Sequence, residues 1–487
     1  MFRIKEILNG AWFRHGFFLL TAISFNSMLT GRSLPTLFAA GVLVWGGLVL
    51  LWRVLHLKEE KPTPFWWGCL LFLLSYGISS VMNMSYGIGG NLKAIIWMAF
   101  ELLLLYGAKR SLDWRIDRKE IQSFVWLVIL YTAFQAMVSL IMLALAYQGV
   151  APNGIYIGVW EGRLWGSYTD PNYGSILAVL SIVFSCAALI LGSYGKKIQR
   201  GLYLNLALQY LYLVFAYSRS GQICLILASV LMFIYWCKVN TGPVIKKAAI
   251  GIGILILCFS GGIFRGAYNV LYADVEFLEP VIEERVSGSS SGLNDEIVQA
   301  EGIMLASAKA DSVPVAVQST GDDAETEGSA SGSPLRREDG LSGDISNGRF
   351  GVWKDGVLVW KSSPIYGISY RNISAYIEEN MPDSYLLDRY NALNTFHNVG
   401  VDVLVSQGLI GIVILLVMII GMLRKICFTL RTLNGEMFGV AVFLGIAVLT
   451  VFAGAMFITD IFYINSPTAI VFWCCLGWLM QLDKEQI

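Results

Sequence analysis

Residues 402–423 read Asp-Val-Leu-Val-Ser-Gln-Gly-Leu-Ile-Gly-Ile-Val-Ile-Leu-Leu-Val-Met-Ile-Ile-Gly-Met-Leu, with no charge between Asp402 and Arg424. A helix of about 20 apolar residues covers the ~30 Å hydrocarbon core of a bilayer. The stretch therefore reads as a membrane span. Eleven further windows read the same way, at 16–31, 34–55, 65–83, 92–108, 121–147, 173–193, 201–217, 221–238, 247–264, 437–458 and 463–482. Only 14% of the 487 residues are charged and 56% are hydrophobic, whereas soluble domains carry roughly a quarter charged residues. The sequence predicts an all-α polytopic membrane protein of about 12 transmembrane helices. With a formal net charge of zero and no basic stripe, it offers nucleic acid nothing to bind.

Lys and Arg are retained on the cytoplasmic side of such proteins. With the N-terminus inside, 21 of the 35 Lys and Arg fall in inner segments and four in short outer ones: Arg32, Lys93, Arg163 and Arg219. Both termini are therefore expected in the cytoplasm. Residues 1–264 then carry helices one to nine, 265–400 a large outer loop, and 401–487 helices ten to twelve. None of the eight cysteines lies in that loop, and they read as buried small hydrophobes rather than disulfide partners.

The loop changes character along its length. Residues 287–345 hold eleven acidic and three basic residues among many Ser and Gly, and no aromatic ring occurs between Phe277 and Phe350. Such a segment buries too little apolar surface to order itself, so a disordered insert is expected there. The remainder, 347–400, reads as ordered. Phe350, Trp353, Val357 and Trp360 recur at helical spacing, Arg349 lies one turn before Trp353, and Pro364 ends the run.

Three histidines are present: His15 and His56 map inside, and His397 alone maps outside. An imidazole base acting on the outer face would have to be His397. A lone loop histidine is more commonly an ordinary hydrogen-bonding residue, and Arg163, Arg219 and Arg349 taken singly fit solvated or snorkelling charges. Taken together, three guanidiniums in three outer loops near one histidine suit a pyrophosphate, whose oxygens they bind bidentately. Asp402 and Asp460 stand near span ends, where they would orient these groups or simply cap helices, and Glu101 is a span carboxylate. No Asp-x-Asp pair near the outer span ends, Walker loop or zinc spacing is present, so neither metal nor cofactor is expected.

Gly166-Ser167-Tyr168-Thr169-Asp170-Pro171-Asn172 and Tyr217-Ser218-Arg219-Ser220-Gly221 resemble elements of the O-antigen ligase and polymerase superfamily. So does the late series of Arg349 and Trp353, Pro364-Ile365-Tyr366-Gly367, His397-Asn398 and Gly408-Leu409-Ile410-Gly411. The resemblance covers about 160–423. It implies a GT-C-like, metal-independent glycosyltransferase of the bacterial cytoplasmic membrane acting on undecaprenyl-diphosphate-linked glycan. It implies His397 as the catalytic residue, Arg219, Arg349 and Arg163 on the diphosphate, and Asn398, Asn172 and Trp353 in support. A chain-length regulator is a possible partner on the same ground. Both family activities remain open: a repeat-unit polymerase, the commoner, or a ligase delivering finished glycan to lipid A core or protein. A transporter or flippase fits twelve spans too, but the sequence shows no inverted repeat and no paired broken spans.

Overall fold

The computed structural model describes residues 10–30, 33–56, 63–107, 114–272, 349–382, 384, 386, 395–458 and 461–482. The acidic insert 287–345 lies outside the described residues, as does Asp460. Helices occupy all twelve apolar stretches. They are α1 Gly10–Ser24, α2 Ser33–Leu55, α3 Trp66–Met82, α4 Gly89–Ala99, α5 Trp114–Ala144, α6 Pro171–Leu191, α7 Lys196–Ala216, α8 Arg219–Val239, α9 Val244–Phe259 with α10 Gly261–Leu271, and three more after the loop. Two short helices, α11 Arg349–Ser362 and α12 Ile373–Asn380, precede these last three, α13 Val399–Thr432, α14 Gly435–Ala455 and α15 Pro467–Gln481.

Among the described residues, six helices (α2, α5, α6, α8, α13 and α14) are long and apolar enough to cross a membrane. The α9–α10 pair, bent by 42°, makes a seventh. The molecule is a polytopic helical membrane protein. The other helices fall short of the expected twelve spans for identifiable reasons. With α1 and α15 at 15 residues and α3 at 17, a rise of 1.5 Å per residue gives about 22–26 Å. Helix α7 is less apolar because Asn205 and Gln209 face inward: Asn205 Nδ2 donates to Ser181 Oγ and Ser185 Oγ at 2.9 Å, and Gln209 Nε2 donates to Asn205 Oδ1 at 2.9 Å. Polar groups at membrane depth persist when they are paired within the protein.

The fold is mostly helical, as expected, with one small antiparallel sheet of β1 Gln148–Val150, β2 Tyr156–Trp160 and β3 Arg163–Gly166, in the order β1-β2-β3. Its hairpin turn is Glu161-Gly162, both left-handed at φ 51° and 67°, as two-residue hairpins require. The segment following α1 pairs with the chain beyond this sheet, Ser27 N donating to Ser167 O at 2.9 Å.

Helix α13 is two helices meeting at Gly408, whose φ of 62° and ψ of −158° lie in a region essentially confined to glycine. The Pro364-Ile365-Tyr366-Gly367 turn fills the break. Leu409 N donates to Pro364 O at 2.9 Å, Ile410 N to Ile365 O at 3.2 Å and Ile368 N to Val405 O at 2.9 Å. A Cβ on Gly408 would stand 2.4 Å from the Ile365 carbonyl, and one on Gly367 2.5 Å from Val405 O. The two glycine motifs are thus halves of one backbone-to-backbone contact.

At the opposite end of the bundle, Arg14 pairs with Glu120. Arg53 Nη1 donates to Leu103 O at 2.6 Å and Gly107 O at 2.7 Å, in and just after the π-helical turn Phe100–Leu105 that contains Glu101. His15 lies at this end, its Nε2 2.9 Å from Ser123 Oγ, and His56 stacks on Trp52.

Candidate functional site

The first group of candidate residues forms where α6, α7 and α8 begin and end. Asp170 caps α6, accepting from Asn172 N at 2.6 Å and Tyr173 N at 3.0 Å, with Pro171 in the first turn. This arrangement satisfies orphan N–H groups of the helix start. It also places Asn172 Oδ1 to accept from Arg163 Nη2 at 2.8 Å and from Ser218 Oγ at 2.9 Å. Arg163 Nε donates to Ala216 O at 3.0 Å, covering a carbonyl at the end of α7. Tyr217 turns the chain at φ 50°, and Ser218 caps α8 by accepting from Gly221 N at 3.1 Å. Arg219 follows as the first residue of α8, half-buried. Arg163, Asn172 and the 217–221 turn are therefore one assembly, in which Arg163 commits two donors to holding the turn that bears Arg219.

Sequence reasoning passed over Arg265. It reaches back from α10, with its guanidinium 3.9 Å over the Tyr217 ring and Nη1 donating to Val214 O at 3.0 Å. No local pattern marks it, because only the bend between α9 and α10 brings it to this turn.

The second group is built on the start of α13. Asp402, buried one turn into the helix, accepts from Phe396 N at 2.8 Å and from Thr395 Oγ1 at 3.0 Å. Thr395 Oγ1 accepts in turn from His397 N at 3.1 Å. Asn398 caps the helix, accepting from Gly400 N at 2.9 Å and Val401 N at 3.2 Å, and its Nδ2 donates to Met456 O at 3.2 Å. Trp353 Nε1 donates to Phe396 O at 3.0 Å. These bonds hold His397 at φ 52° with 8% of its surface exposed, a left-handed conformation uncommon for any residue but glycine.

Helix α11 forms where the periodicity predicts, but its buried stripe is Val352, Gly356 and Val359, while Phe350 is exposed. The cause is Gly356, where a Cβ would meet Val401 Cγ1 at 2.7 Å and Phe396 Cδ1 at 3.0 Å. The helix seats its glycine against Phe396 and Val401, with Trp353 and Trp360 partly buried beside it. Arg349 opens this helix, half-buried, one turn before Trp353.

Both groups border one end of α14. Asn398 reaches Met456 just past that helix. Cys224 Sγ donates to Thr450 O at 3.3 Å, and from that contact α8 runs five residues back to Arg219 while α14 runs six on to Met456. At 1.5 Å per residue both stretches extend about 8–9 Å in the same direction. The structure thus assembles Arg163, Asn172, Arg219 and Arg265 on one side of this end, and Trp353, His397 and Asn398, with Arg349 a turn away, on the other. Among the described residues no cluster of three His, Cys, Asp or Glu side chains could hold a metal ion.

Fold and site together define a polytopic helical membrane protein in which arginines and a conformationally constrained histidine gather at one end of the bundle. Residues 204–416 match the family model for O-antigen ligase, which supports the resemblance of the motifs to the O-antigen ligase and polymerase superfamily. The match takes in Arg219, Arg265, Arg349, Trp353, His397 and Asn398, whereas Arg163 and Asn172 precede it. No curated protein matches the chain.

Proposed function

We propose that the protein is a glycosyltransferase that moves glycan from undecaprenyl diphosphate to a sugar hydroxyl on the outer face of the cytoplasmic membrane, acting as a surface-polysaccharide repeat-unit polymerase. In this reading the twelve helices form a GT-C-like bundle with both termini in the cytoplasm. The observation that carries it is His397. Four hydrogen bonds among Asp402, Thr395, Asn398, Phe396 and Trp353, with a fifth from His397 N to Thr395 Oγ1, hold its loop and its left-handed backbone. Backbone strain of this kind, of order 1–3 kcal/mol, persists where the surroundings over-determine it and concentrates at functional sites.

The acceptor hydroxyl is a weak nucleophile. His397 takes its proton as the new C–O bond forms at the anomeric carbon. The bond from that carbon to the diphosphate breaks in the same displacement, inverting the centre. The departing diphosphate carries the electron pair, and Arg219 and Arg349 meet its charge. Arg163, Asn172 and Trp353 act by holding the two turns in place.

The test uses purified protein in detergent with undecaprenyl-diphosphate-linked glycan extracted from the source cells. Wild type is expected to release undecaprenyl diphosphate and give a product ladder, and His397→Ala and Arg219→Ala to give neither. Release that requires an added lipid A core or protein acceptor would make it a ligase. A chain that moves the lipid between leaflets without cleaving it would be a flippase.

A further inference from the structure

The sheet carries a pair of aromatic rings that this chemistry leaves unused. Tyr156 and Trp160 stack across the bend that left-handed Gly158 makes in β2, and Trp160 pairs across the hairpin with Arg163. Directly paired residues share a face, so Tyr156, Trp160 and Arg163 stand on the same side. Val159 and Leu164, on the other side, are buried in the core. The Tyr156 and Trp160 ring centroids lie 4.7 Å apart with the planes inclined by 13°. The pair is fixed in place. Trp160 Nε1 donates to Gly149 O and Ile157 O, both at 3.0 Å, and Trp165 backs Tyr156 edge-on at 5.2 Å. Both rings are nevertheless only half-buried. The row continues through Arg163 to Asn172 and the turn that bears Arg219.

We propose that Tyr156 and Trp160 form a stacking platform for a pyranose ring of the lipid-linked glycan, next to the arginines that receive its diphosphate. The inference rests on the glycosyl-transfer reading and adds the site that recognises the sugar. An aromatic face is electronegative and its edge electropositive. One face of a pyranose presents several C–H bonds carrying partial positive charge, which complements a π face, while its hydroxyls remain free at the ring edge. The linear order of arginines followed by rings matches a diphosphate followed by a sugar. Burial, with the Glu161 charge adding to it, pushes the Tyr156 phenol up from its ordinary value, so the platform is uncharged at physiological pH. The competing role for an exposed Tyr–Trp pair in a membrane protein is anchoring at the headgroup level, which would be indifferent to sugar.

Equilibrium binding in detergent separates these roles, with two probes: undecaprenyl-diphosphate-linked glycan extracted from the source cells, and synthetic undecaprenyl diphosphate. Wild type is expected to bind the glycan-bearing lipid at least about tenfold more tightly than the bare one, a difference of about 1.4 kcal/mol. Trp160→Ala should erase that preference while changing bare-lipid affinity less than about twofold, and Trp160→Phe should keep most of it. A preference that survives in Trp160→Ala, or an equal loss for both lipids, would reduce the pair to an interfacial anchor. Equal binding of both lipids by wild type would remove the platform and leave the diphosphate site standing. Binding of neither would overturn the glycosyl-transfer reading along with the platform.

Discussion

At His397 the imidazole and its backbone do separate jobs. Replacing it with Ala or Gln removes the proposed base, and turnover should fall by about 10²–10⁴ while thermal unfolding stays near wild type. Full activity in either variant would exclude the assignment. Asp402 accepts from Phe396 N and Thr395 Oγ1 and acts as a positioning residue. Asp402→Ala leaves the Phe396 N–H and Thr395 hydroxyl without their acceptor in a buried loop, at a cost of about 1–3 kcal/mol. Its expected signature is a lower melting temperature and a reduced kcat with KM little changed, because the His397 ring is misplaced while the arginines are not. A KM effect alone would indicate that Asp402 serves binding instead. His397 can be singled out in the sequence by elimination among three histidines, and Asp402, near a span end, reads as a residue able to orient it. The route through Thr395 was not legible, because it depends on the loop folding back over its own helix.

At the scale of elements, the kink in α13 explains why glycines stand at both 367 and 408. Gly408→Ala forces a Cβ against the Ile365 carbonyl in a backbone region that side chains avoid, and should destabilise by at least about 1–3 kcal/mol. Gly47→Ala is the control. That glycine lies inside α2 with nothing within 4 Å of a would-be Cβ, so the change should be neutral or raise stability by up to about 1 kcal/mol. Thermal unfolding of the two variants side by side distinguishes them, and equal midpoints would show that the 364–368 turn does not depend on the kink. The helices themselves were legible, since apolar runs such as 402–423 permit little else. The sheet at 148–166 was not. Its strands are three to five residues long, too short for alternation to stand out, and the usable signal was the two-residue Glu161-Gly162 turn between aromatic-rich flanks.

For the whole molecule, the distribution of Lys and Arg predicts sides. Cys427 is an exposed free thiol beyond the kinked half of α13, and Glu379 is exposed on α12. In intact cells a membrane-impermeant maleimide should label Glu379→Cys and should reach Cys427 only after permeabilisation. The reverse pattern would invert the topology, and labelling of both would remove the span between them. With Glu379 ahead of α13 and Cys427 near its far end, the experiment is a direct reading of which way that helix crosses.

The class of protein and the identity of its motifs follow from sequence, because burying a helix in a bilayer depends on the local sum of apolar side chains and on hydrogen bonds made within the segment. Which residues share a site does not follow. Arg163 meets Asn172 and Ala216, Arg265 meets Tyr217, Trp353 meets Phe396, and Asn398 meets Met456. Each of these contacts joins separate elements, most of them tens of residues apart in the chain. Where α11 and the 364–367 turn meet α13, glycines at 356, 367 and 408 let backbone and side chains approach to distances that no Cβ would allow. That clearance is a property of two surfaces together, and only the packed structure contains both.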